Sequence, residues 1–298
     1  MTAERRGIAA RLGIAALNVP LSGLGLLRTG HGRAGALFIA APLGAYLAIT
    51  LYYAFGPVLS FPVWIALVGS AAAIWLLAIL LSAWMSWRRS AERQGQNHWW
   101  SRWYGLLGIW AISLAVPLSI DAQRYYRSFY VPSEAMTPTL VAKDRFVARM
   151  DGSGELRRGD IVLVRSPHGA IYVSRIAALA GDRIAMTEGT VILNGRPVVQ
   201  RPVGPGEGGA RRLAEQFPGE AQPHEIQDSG MTMGDEFAEI TVRPGHIFLL
   251  GDNRDHAADS RFSADQQGLG QRALEDVRGR PLFFYGWTGG GKAGRPVR

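Results

Sequence analysis

The part of the chain that decides its class runs from residue 34 to residue 87 and reads AGALFIAAPLGAYLAITLYYAFGPVLSFPVWIALVGSAAAIWLLAILLSAWMSW. These 54 positions include no Asp, Glu, Lys or Arg. One membrane crossing takes about 20 apolar residues, so the stretch is long enough for two. Gly56-Pro57 and Pro62 break it into residues 36–55 and 63–87, which we predict to be two transmembrane helices.

A second uncharged stretch, residues 103–120, predicts a third crossing over residues 104–120. A further apolar segment, residues 12–27, is shorter and contains Asn18 and Pro20. We interpret it as an interfacial or re-entrant segment. A fourth span over the same residues is the alternative, and it would move the N-terminus outside without moving the C-terminal domain.

Basic residues flank the predicted spans unevenly. Residues 1–34 carry five Arg and the loop 88–102 carries four, whereas the loop 56–62 carries none. Because cytoplasmic loops are enriched in Lys and Arg, the two basic segments are predicted to be cytoplasmic. Three crossings then place residues 121–298 outside the plasma (inner) membrane, and the spans make membrane lipids the first predicted partner.

The composition of the rest of the chain narrows the function classes. The net charge of +8 belongs to the membrane half: residues 1–120 hold nine Arg and two acidic residues, for 9 − 2 = +7, and residues 121–298 hold 23 basic and 22 acidic residues, for +1. A C-terminal half this close to neutral has no basic stripe for nucleic acid, which we exclude as a partner. The absence of Cys excludes disulfides, thiolate catalysis and Cys-ligated metals.

Past Asp121 the pattern changes to short β-branched runs separated by turns, which predicts an all-β domain, a coiled sheet or barrel, behind the α-helical transmembrane module. Asn194-Gly195 is a hairpin signal. The predicted strands are residues 145–150, 160–165, 171–177, 190–193, 239–243 and 247–250, with a short helical piece near 273–277.

Four parts make up the predicted domain organisation. They are a cytoplasmic or interfacial N-terminal segment (residues 1–34), a three-span transmembrane module (35–120), an extracytoplasmic β-domain (121–287) and a flexible Gly/Arg-rich tail (288–298). Within the β-domain, residues 200–236 are rich in Gly, Pro, Glu and Gln, and we expect a mobile insertion there.

Three motifs stand out in the C-terminal half. They are PSEAMTPTL at residues 132–140, RGDIV at 158–162 with YVSR at 172–175 and Gly181-Asp182 after it, and GDNRDHAADSR at 251–261. Together, in this order and after a membrane span, they resemble the bacterial signal peptidase I family, over about residues 120–287. The resemblance implies a membrane-anchored β-domain that cuts signal peptides from exported preproteins after a small-x-small motif.

The resemblance also implies a serine-type mechanism, in which a Ser attacks the scissile carbonyl and a neutral Lys removes its proton. Here the nucleophile position, immediately before Met136, is Ala135, and the general-base position, immediately before Arg175, is Ser174. A third position, where the family has a Ser that orients the Lys, is Ala257. A methyl group cannot attack a carbonyl, and a Ser hydroxyl is far too weakly basic to replace an amine.

We considered whether other residues take over these roles. The chain has two Lys: Lys143, which is predicted to start a surface strand, and Lys292, in the tail. Ser133 with His256 is the alternative pair, but Ser133 lies two residues before the nucleophile position and is not expected on the line of attack. The competing interpretation of His256 is an exposed turn residue.

Other parts of the implied site survive. The family uses the Ser at position 133 and the N–H at position 135 as oxyanion donors, and Ser133 and Ala135 keep both groups. A local turn bond from Ser133 is the alternative. Met136 and Phe129-Tyr130 would face lipid or peptide, or pack in the core.

The last motif predicts a turn stapled by side-chain pairs, formed by Asp252, Asn253, Arg254, Asp259 and Arg261. The resemblance implies that the pair of Asp259 with Arg261 supports the active-site strand. The interleaved Arg residues supply the countercharge that a cation would supply, so no metal is expected among these Asp residues. No cofactor is predicted either.

These observations favour a catalytically impaired signal peptidase I-like membrane protein, a pseudoenzyme that retains a cleft for signal peptides and takes part in protein secretion. It would bind signal peptides of exported preproteins, or an active signal peptidase. The first alternative is an active peptidase that uses Ser133 and His256. The second is a structural membrane platform whose function lies in its N-terminal module.

Overall fold

The computed structural model describes residues 3–90, 98–119, 124–152, 154–285 and 291–298. The chain divides into two compact units, Met1–Ala122 and Gln123–Arg298. The first unit is helical and the second is built from strands, so the predicted order of an α-helical membrane module and an all-β domain is confirmed.

The helices of the first unit are α1 (Ala3–Ala16), α2 (Leu24–Arg28), α3 (Gly32–Phe55), α4 (Phe61–Arg89) and α5 (Trp103–Ser119). Helices α3 and α4 are long and apolar enough to cross a membrane, and few of their residues are buried. Leu37, Trp75 and Leu77 on these helices are 68%, 55% and 54% exposed. Such surfaces are unstable in water and indicate membrane association.

The predicted break between these two helices is reproduced, although α3 begins four residues earlier than predicted and α4 extends two residues further at each end. The chain leaves the helical conformation at Gly56, and Pro62 lies in the first turn of α4, where its missing N–H has no cost. Helix α5 is apolar but has 17 residues, about 25 Å at 1.5 Å per residue, which is slightly less than a hydrocarbon core. The third crossing therefore stays a prediction.

Residues 12–27 do not form one continuous helix. They contain the end of α1, a turn and most of the five-residue α2, so the structure does not support a fourth span there. Asn18 holds the turn, because its Oδ1 accepts from the N–H groups of Gly23 at 2.9 Å and Gly25 at 3.2 Å, and its Nδ2 donates to Ser86 Oγ at 3.0 Å.

Fourteen strands form three sheets in the described part of the second unit. They are β1 (Tyr126–Tyr130), β2 (Arg145–Arg149), β3 (Ile161–Arg165), β4 (Ile171–Leu179), β5 (Arg183–Thr187), β6 (Thr190–Leu193), β7 (Arg196–Pro197), β8 (Val199–Pro205), β9 (Arg211–Gln216), β10 (His224–Asp228), β11 (Phe237–Thr241), β12 (His246–Leu250), β13 (Arg272–Ala273) and β14 (Val277–Phe284). The largest sheet has the order β1-β2-β14-β3-β4-β12-β13.

Local predictions in this unit hold where the sequence signals are strong. The Asn194-Gly195 turn joins β6 to β7, with both residues at positive φ, 52° and 76°, as a type I′ hairpin requires. The helical piece predicted near residues 273–277 is a single 3₁₀ turn, Leu274–Asp276.

Residues 200–236 differ from the expectation of a mobile insertion, because they contribute to a three-stranded sheet of order β10-β9-β8. The composition concealed these strands, since the buried positions include charged and polar side chains as well as apolar ones. Glu215, His224 and Gln227 are all buried. A buried face that contains ionic groups does not produce the apolar alternation from which strands are predicted.

The tail also differs from the expectation of a frayed end. Residues 288–290 lie outside the described residues, but residues 291–298 fold back along β14. Phe284 N–H donates to Arg295 O at 3.0 Å, and Val297 N–H donates to Leu282 O at 3.0 Å. Val297 is 8% exposed and belongs to the same core cluster as Met136, Leu140 and Phe146.

Candidate functional site

The predicted site positions come together in one groove of the β-domain, a cavity of about 440 Å³. Ser133, Ala135, Ser174, His256 and Ala257 all line it. Three segments provide these residues: the chain after β1, the first half of β4, and the last motif after β12. A volume of this size is typical of small-molecule and peptide-side-chain pockets.

Backbone bonds fix the first wall, which contains Ala135. Val131 N–H donates to Asp144 O at 2.9 Å, and the carbonyl of Ala135 accepts from Asn253 N–H at 3.1 Å. Ser133 is exposed, and its hydroxyl makes no hydrogen bond within the described ranges of the chain, so the local turn bond considered above is not present.

Met136 and Phe129-Tyr130 have different surroundings within this wall. Met136 is 3% exposed and belongs to a core cluster, against which Phe129 packs. Tyr130 is 54% exposed. The core-packing interpretation therefore applies to Met136 and Phe129, whereas Tyr130 lies on the surface at the rim of the groove.

Strand β4 forms the second wall and contains Ser174. Residues 171–174 pair with β3, with Ser174 opposite Val162. Pairing with β12 begins only at Arg175, opposite Leu250, so one side of β4 has no strand partner along residues 171–174 in the structure as described. Unpaired backbone of this kind can accept an added strand.

The third wall lies very close to the first. A Cβ added to Gly251 would lie 2.2 Å from the Cβ of Ala257 and 2.7 Å from the carbonyl oxygen of Ala135. Only Gly allows this approach. The motif therefore brings Ala257, where the family has a base-orienting Ser, next to Ala135, where it has the nucleophile.

Buried ion pairs support this wall. Asp252 accepts two bonds from Arg175, at 2.8 Å and 2.7 Å, and Asp259 is paired with Arg261 at 2.9 Å. Burial alone would raise the pKa of Asp252, but the Arg175 guanidinium holds it below its usual range. Guanidinium groups supply the countercharge for both carboxylates, and no group of His, Asp and Glu that could hold a metal ion is found in the described residues.

Sequence reasoning missed the other half of this network, which comes from β9, β10 and the turn between them. Glu215 accepts from both terminal nitrogens of Arg254, in one case at 3.1 Å. His224 Nδ1 lies 2.9 Å from Glu220 Oε1, and its Nε2 lies 3.3 Å from Glu215 Oε2. The Arg and Asp residues of the motif were visible in the sequence, but their partners lie in the segment interpreted as an insertion.

A protonated His224 would complete the charge balance of this cluster. Three carboxylates, Glu215, Glu220 and Asp252, face two guanidiniums, Arg175 and Arg254, so one negative charge is left for the imidazolium. Burial alone would lower the pKa of the imidazole, but the adjacent carboxylates of Glu215 and Glu220 outweigh burial and raise it.

This raised pKa makes the stability of the β9–β10 region pH-dependent. The stabilising free energy that protonated His224 contributes is complete below its unfolded-state pKa of about 6.5. It is lost as pH rises through the raised pKa of the folded state. We expect His224→Gln to lower hydrogen-exchange protection of residues 211–228 most below about pH 6.5, and the difference from the unmodified chain to narrow at higher pH. His246→Gln, at an exposed ring, should have no such effect. A loss of protection that is the same at every pH would contradict the assignment.

The alternative catalytic groups make no direct hydrogen bonds to one another in the described residues. His256 is exposed and its Nδ1 lies 3.3 Å from Asn253 Oδ1. Among the residues that the structure describes, no hydrogen bond joins His256 to Ser133 or Ser174. Lys292 is paired with Asp144 at 2.9 Å, and neither Lys143 nor Lys292 lines the groove.

Comparisons with known proteins agree with the motifs. The family model described as "Signal peptidase, peptidase S26" matches residues 102–287. Signal peptidase I of Bacillus amyloliquefaciens is 25% identical over 202 residues, which cover 66% of this chain and 90% of that protein. Signal peptidase I U of Bacillus subtilis (strain 168) is 29% identical over 165 residues, 54% of this chain and 76% of that protein.

One solved structure of the same class is also similar. A signal peptidase I from Enterococcus faecalis V583 is 21% identical, with a TM-score of 0.28, over 43% of this chain and 97% of that one. The assignment itself follows from the family match, which spans more than half of the chain and contains all three motifs. The chain therefore belongs to the peptidase S26 family of signal peptidases.

Proposed function

We propose that this chain is a membrane-anchored signal peptidase homologue that binds signal peptides of exported preproteins without cleaving them. The observation that supports this most directly is a groove with three intact walls in which the nucleophile, base and base-orienting positions are Ala135, Ser174 and Ala257. The three substitutions together remove the attacking atom, the proton acceptor and the group that orients that acceptor.

Chemistry supports the absence of hydrolysis. Acyl transfer needs an oxygen nucleophile and a base whose pKa lies near the working pH. Ala135 offers a methyl group, and the Ser174 hydroxyl oxygen is too weakly basic to accept the proton of a nucleophile. The remaining side-chain polar groups among the described lining residues are the hydroxyls of Ser133, Tyr130 and Tyr172, the ring of exposed His256, and Asp259, which is already paired with Arg261.

The groove geometry supports binding. The unpaired side of β4 at residues 171–174 would take an extended peptide as an added strand, with main-chain hydrogen bonds for affinity. The Ser133 hydroxyl and the N–H of Ala135 would donate to a peptide carbonyl. These donors polarise a carbonyl but do not break its bond without an attacking atom.

Membrane topology is part of the same proposal. The chain would cross the membrane three times, with the N-terminus in the cytoplasm and the β-domain outside, where signal peptides emerge. The Arg residues on either side of α3 and α4, and the lack of charge in the loop between them, favour this orientation. Membrane lipids would contact the exposed apolar faces of these two helices.

We expect the full chain in lipid nanodiscs to crosslink to a preprotein without cutting it. A photoreactive group is placed in the preprotein beside its Ala-x-Ala segment, and the matched control carries the same residues in scrambled order. The crosslink should map to residues 129–136 or 170–174, and no shortened product should form in several hours.

Two results would overturn this expectation in different ways. Turnover that is abolished by Ser133→Ala would identify a working peptidase with a non-standard nucleophile. Crosslinking no stronger than that of the scrambled control would remove peptide binding, and would direct attention to the helical unit as the functional part.

A further inference from the structure

The substitution at position 174 changes the shape of the groove as well as its chemistry. Ser174 is 4% exposed and lines a cavity of about 440 Å³, much more space than one small side chain fills. A Ser side chain takes up less of this cavity than the Lys that the family has at this position. An occupant that leaves part of an apolar cavity empty loses contact energy in proportion to the void, so the cavity favours an occupant that fills it.

The walls of the cavity are apolar and continuous with the protein core. Met136, Leu140 and Phe146 line the cavity and belong to one buried cluster, and Val173 packs against that cluster. A side chain that enters here is removed from water, and the gain grows with the apolar area that it buries. The thioether of Met136 is flexible and adapts to occupants of different shape.

No uncompensated charge faces the cavity from the lining residues that the structure describes. Asp259 is the one carboxylate among them, and no Lys or Arg is present; it is 1% exposed, paired with Arg261 and bonded to Gly251 N–H at 3.0 Å. A charged ligand group would therefore be desolvated without a partner, at a large cost.

Resting on the proposed function, we propose that the groove selects uncharged extended peptides that seat one large apolar side chain, Leu, Met or Phe, in the space left open beside Ser174. The preferred peptide would differ from a small-x-small cleavage motif, because Ala in the same place would leave the cavity partly empty. The chain would then bind a subset of exported sequences defined by a bulky apolar residue.

The test uses capped nonapeptides in an Ala background, each with a fluorescent label. One peptide is all Ala, and the others carry a single Leu, Phe or Lys at each of three successive central positions, so that no register is assumed. Binding to the full chain in nanodiscs is measured by anisotropy, and binding to empty nanodiscs is subtracted. We expect the best Leu or Phe peptide to bind at least about tenfold more tightly than the Ala peptide, and Lys peptides to bind no better than Ala.

Variants test whether position 174 is responsible. Ser174→Met fills the space with an uncharged side chain and should abolish the preference for Leu and Phe while the Ala peptide still binds. Ser128→Met, at an exposed position of β1 outside the groove, is the matched control and should preserve the preference. Should Ser174→Met fail to fold, Ala135→Val narrows the same groove from the opposite wall and makes the same prediction.

The outcomes separate this inference from the proposed function. The inference about the bulky apolar side chain is overturned if the Ala and Leu peptides bind equally. It is also overturned if the preference for Leu and Phe survives in both Ser174→Met and Ala135→Val. Either result leaves the proposal of peptide binding intact. Binding of none of the peptides, together with a negative preprotein crosslink, overturns both.

Discussion

The double variant Ala135→Ser/Ser174→Lys is expected to cut a preprotein, whereas the unmodified chain is expected to bind that preprotein without cutting it. The two substitutions place an oxygen and an amine on facing walls of a groove whose supports are already present. Position 174 is 4% exposed, so burial would lower the pKa of the introduced amine and keep a fraction of it neutral. The Ser133 hydroxyl and the N–H at position 135 would stabilise the oxyanion.

The size of the effect follows from the way a nucleophile and its base act as a unit. A positioned general base contributes about 10²–10⁴-fold, and the nucleophile has little activity without it. Each single variant should therefore stay near background, and the double variant should exceed both by at least about 10²-fold. Adding Ala257→Ser should raise the rate further, because that hydroxyl would orient the amine.

The matched control for this experiment is Ala135→Ser/Ser174→Met, which restores a long side chain without the amine. Cleavage by this control at the same rate would mean that another group in the groove acts as the base. No cleavage by the double variant, with peptide crosslinking retained, would mean that the bound carbonyl does not lie at position 135. Product is followed by gel and by mass spectrometry of the new N-terminus.

The two long helices and the three substituted site positions could be predicted from the sequence, because the signals for them are local. Fifty-four uncharged residues interrupted by Gly56-Pro57 and Pro62 specify two long helices wherever they occur in a chain. The three motifs single out Ala135, Ser174 and Ala257 in the sequence, and all three line one cavity in the structure.

Other features could not be predicted, because they depend on contacts between distant residues. Arg254 was visible as part of a turn, but its partner Glu215 is 39 positions away in a segment with little apolar alternation. The tail had the composition of a flexible end, yet Val297 enters the core beside β14. In both cases tertiary burial overrides a local composition that favours a loop.

The largest loss of stability is expected from Arg254→Met, which removes the main countercharge of a fully buried carboxylate. Glu215 is 1% exposed, and burial alone would raise its pKa, but Arg254 and His224 hold that pKa far below its usual range. Breaking such a pair from one side costs about 3–5 kcal/mol, because it leaves a buried charge without compensation. Urea-dependent pulse proteolysis of the full chain in detergent, following the fragment from residues 123–298, measures this free energy of unfolding.

A second substitution decides between two causes of this loss: the unpaired charge of Glu215, or the packing of the Arg254 side chain. Arg254→Met/Glu215→Gln removes the buried negative charge as well, and it should recover a large part of the stability. Gln200 Nε2 lies 2.9 Å from Glu215 Oε1 and can still donate to the amide oxygen of the introduced Gln.

The control variant is Arg183→Met, which breaks the ion pair between Arg183 and Glu239. These two side chains are 55% and 46% exposed, so the loss should be less than about 1 kcal/mol. A double variant no more stable than Arg254→Met would assign the loss to packing around Gly251. The β8–β10 sheet would then stabilise the domain through packing. The wall that holds Ala257 against Ala135 would not depend on buried ion pairs.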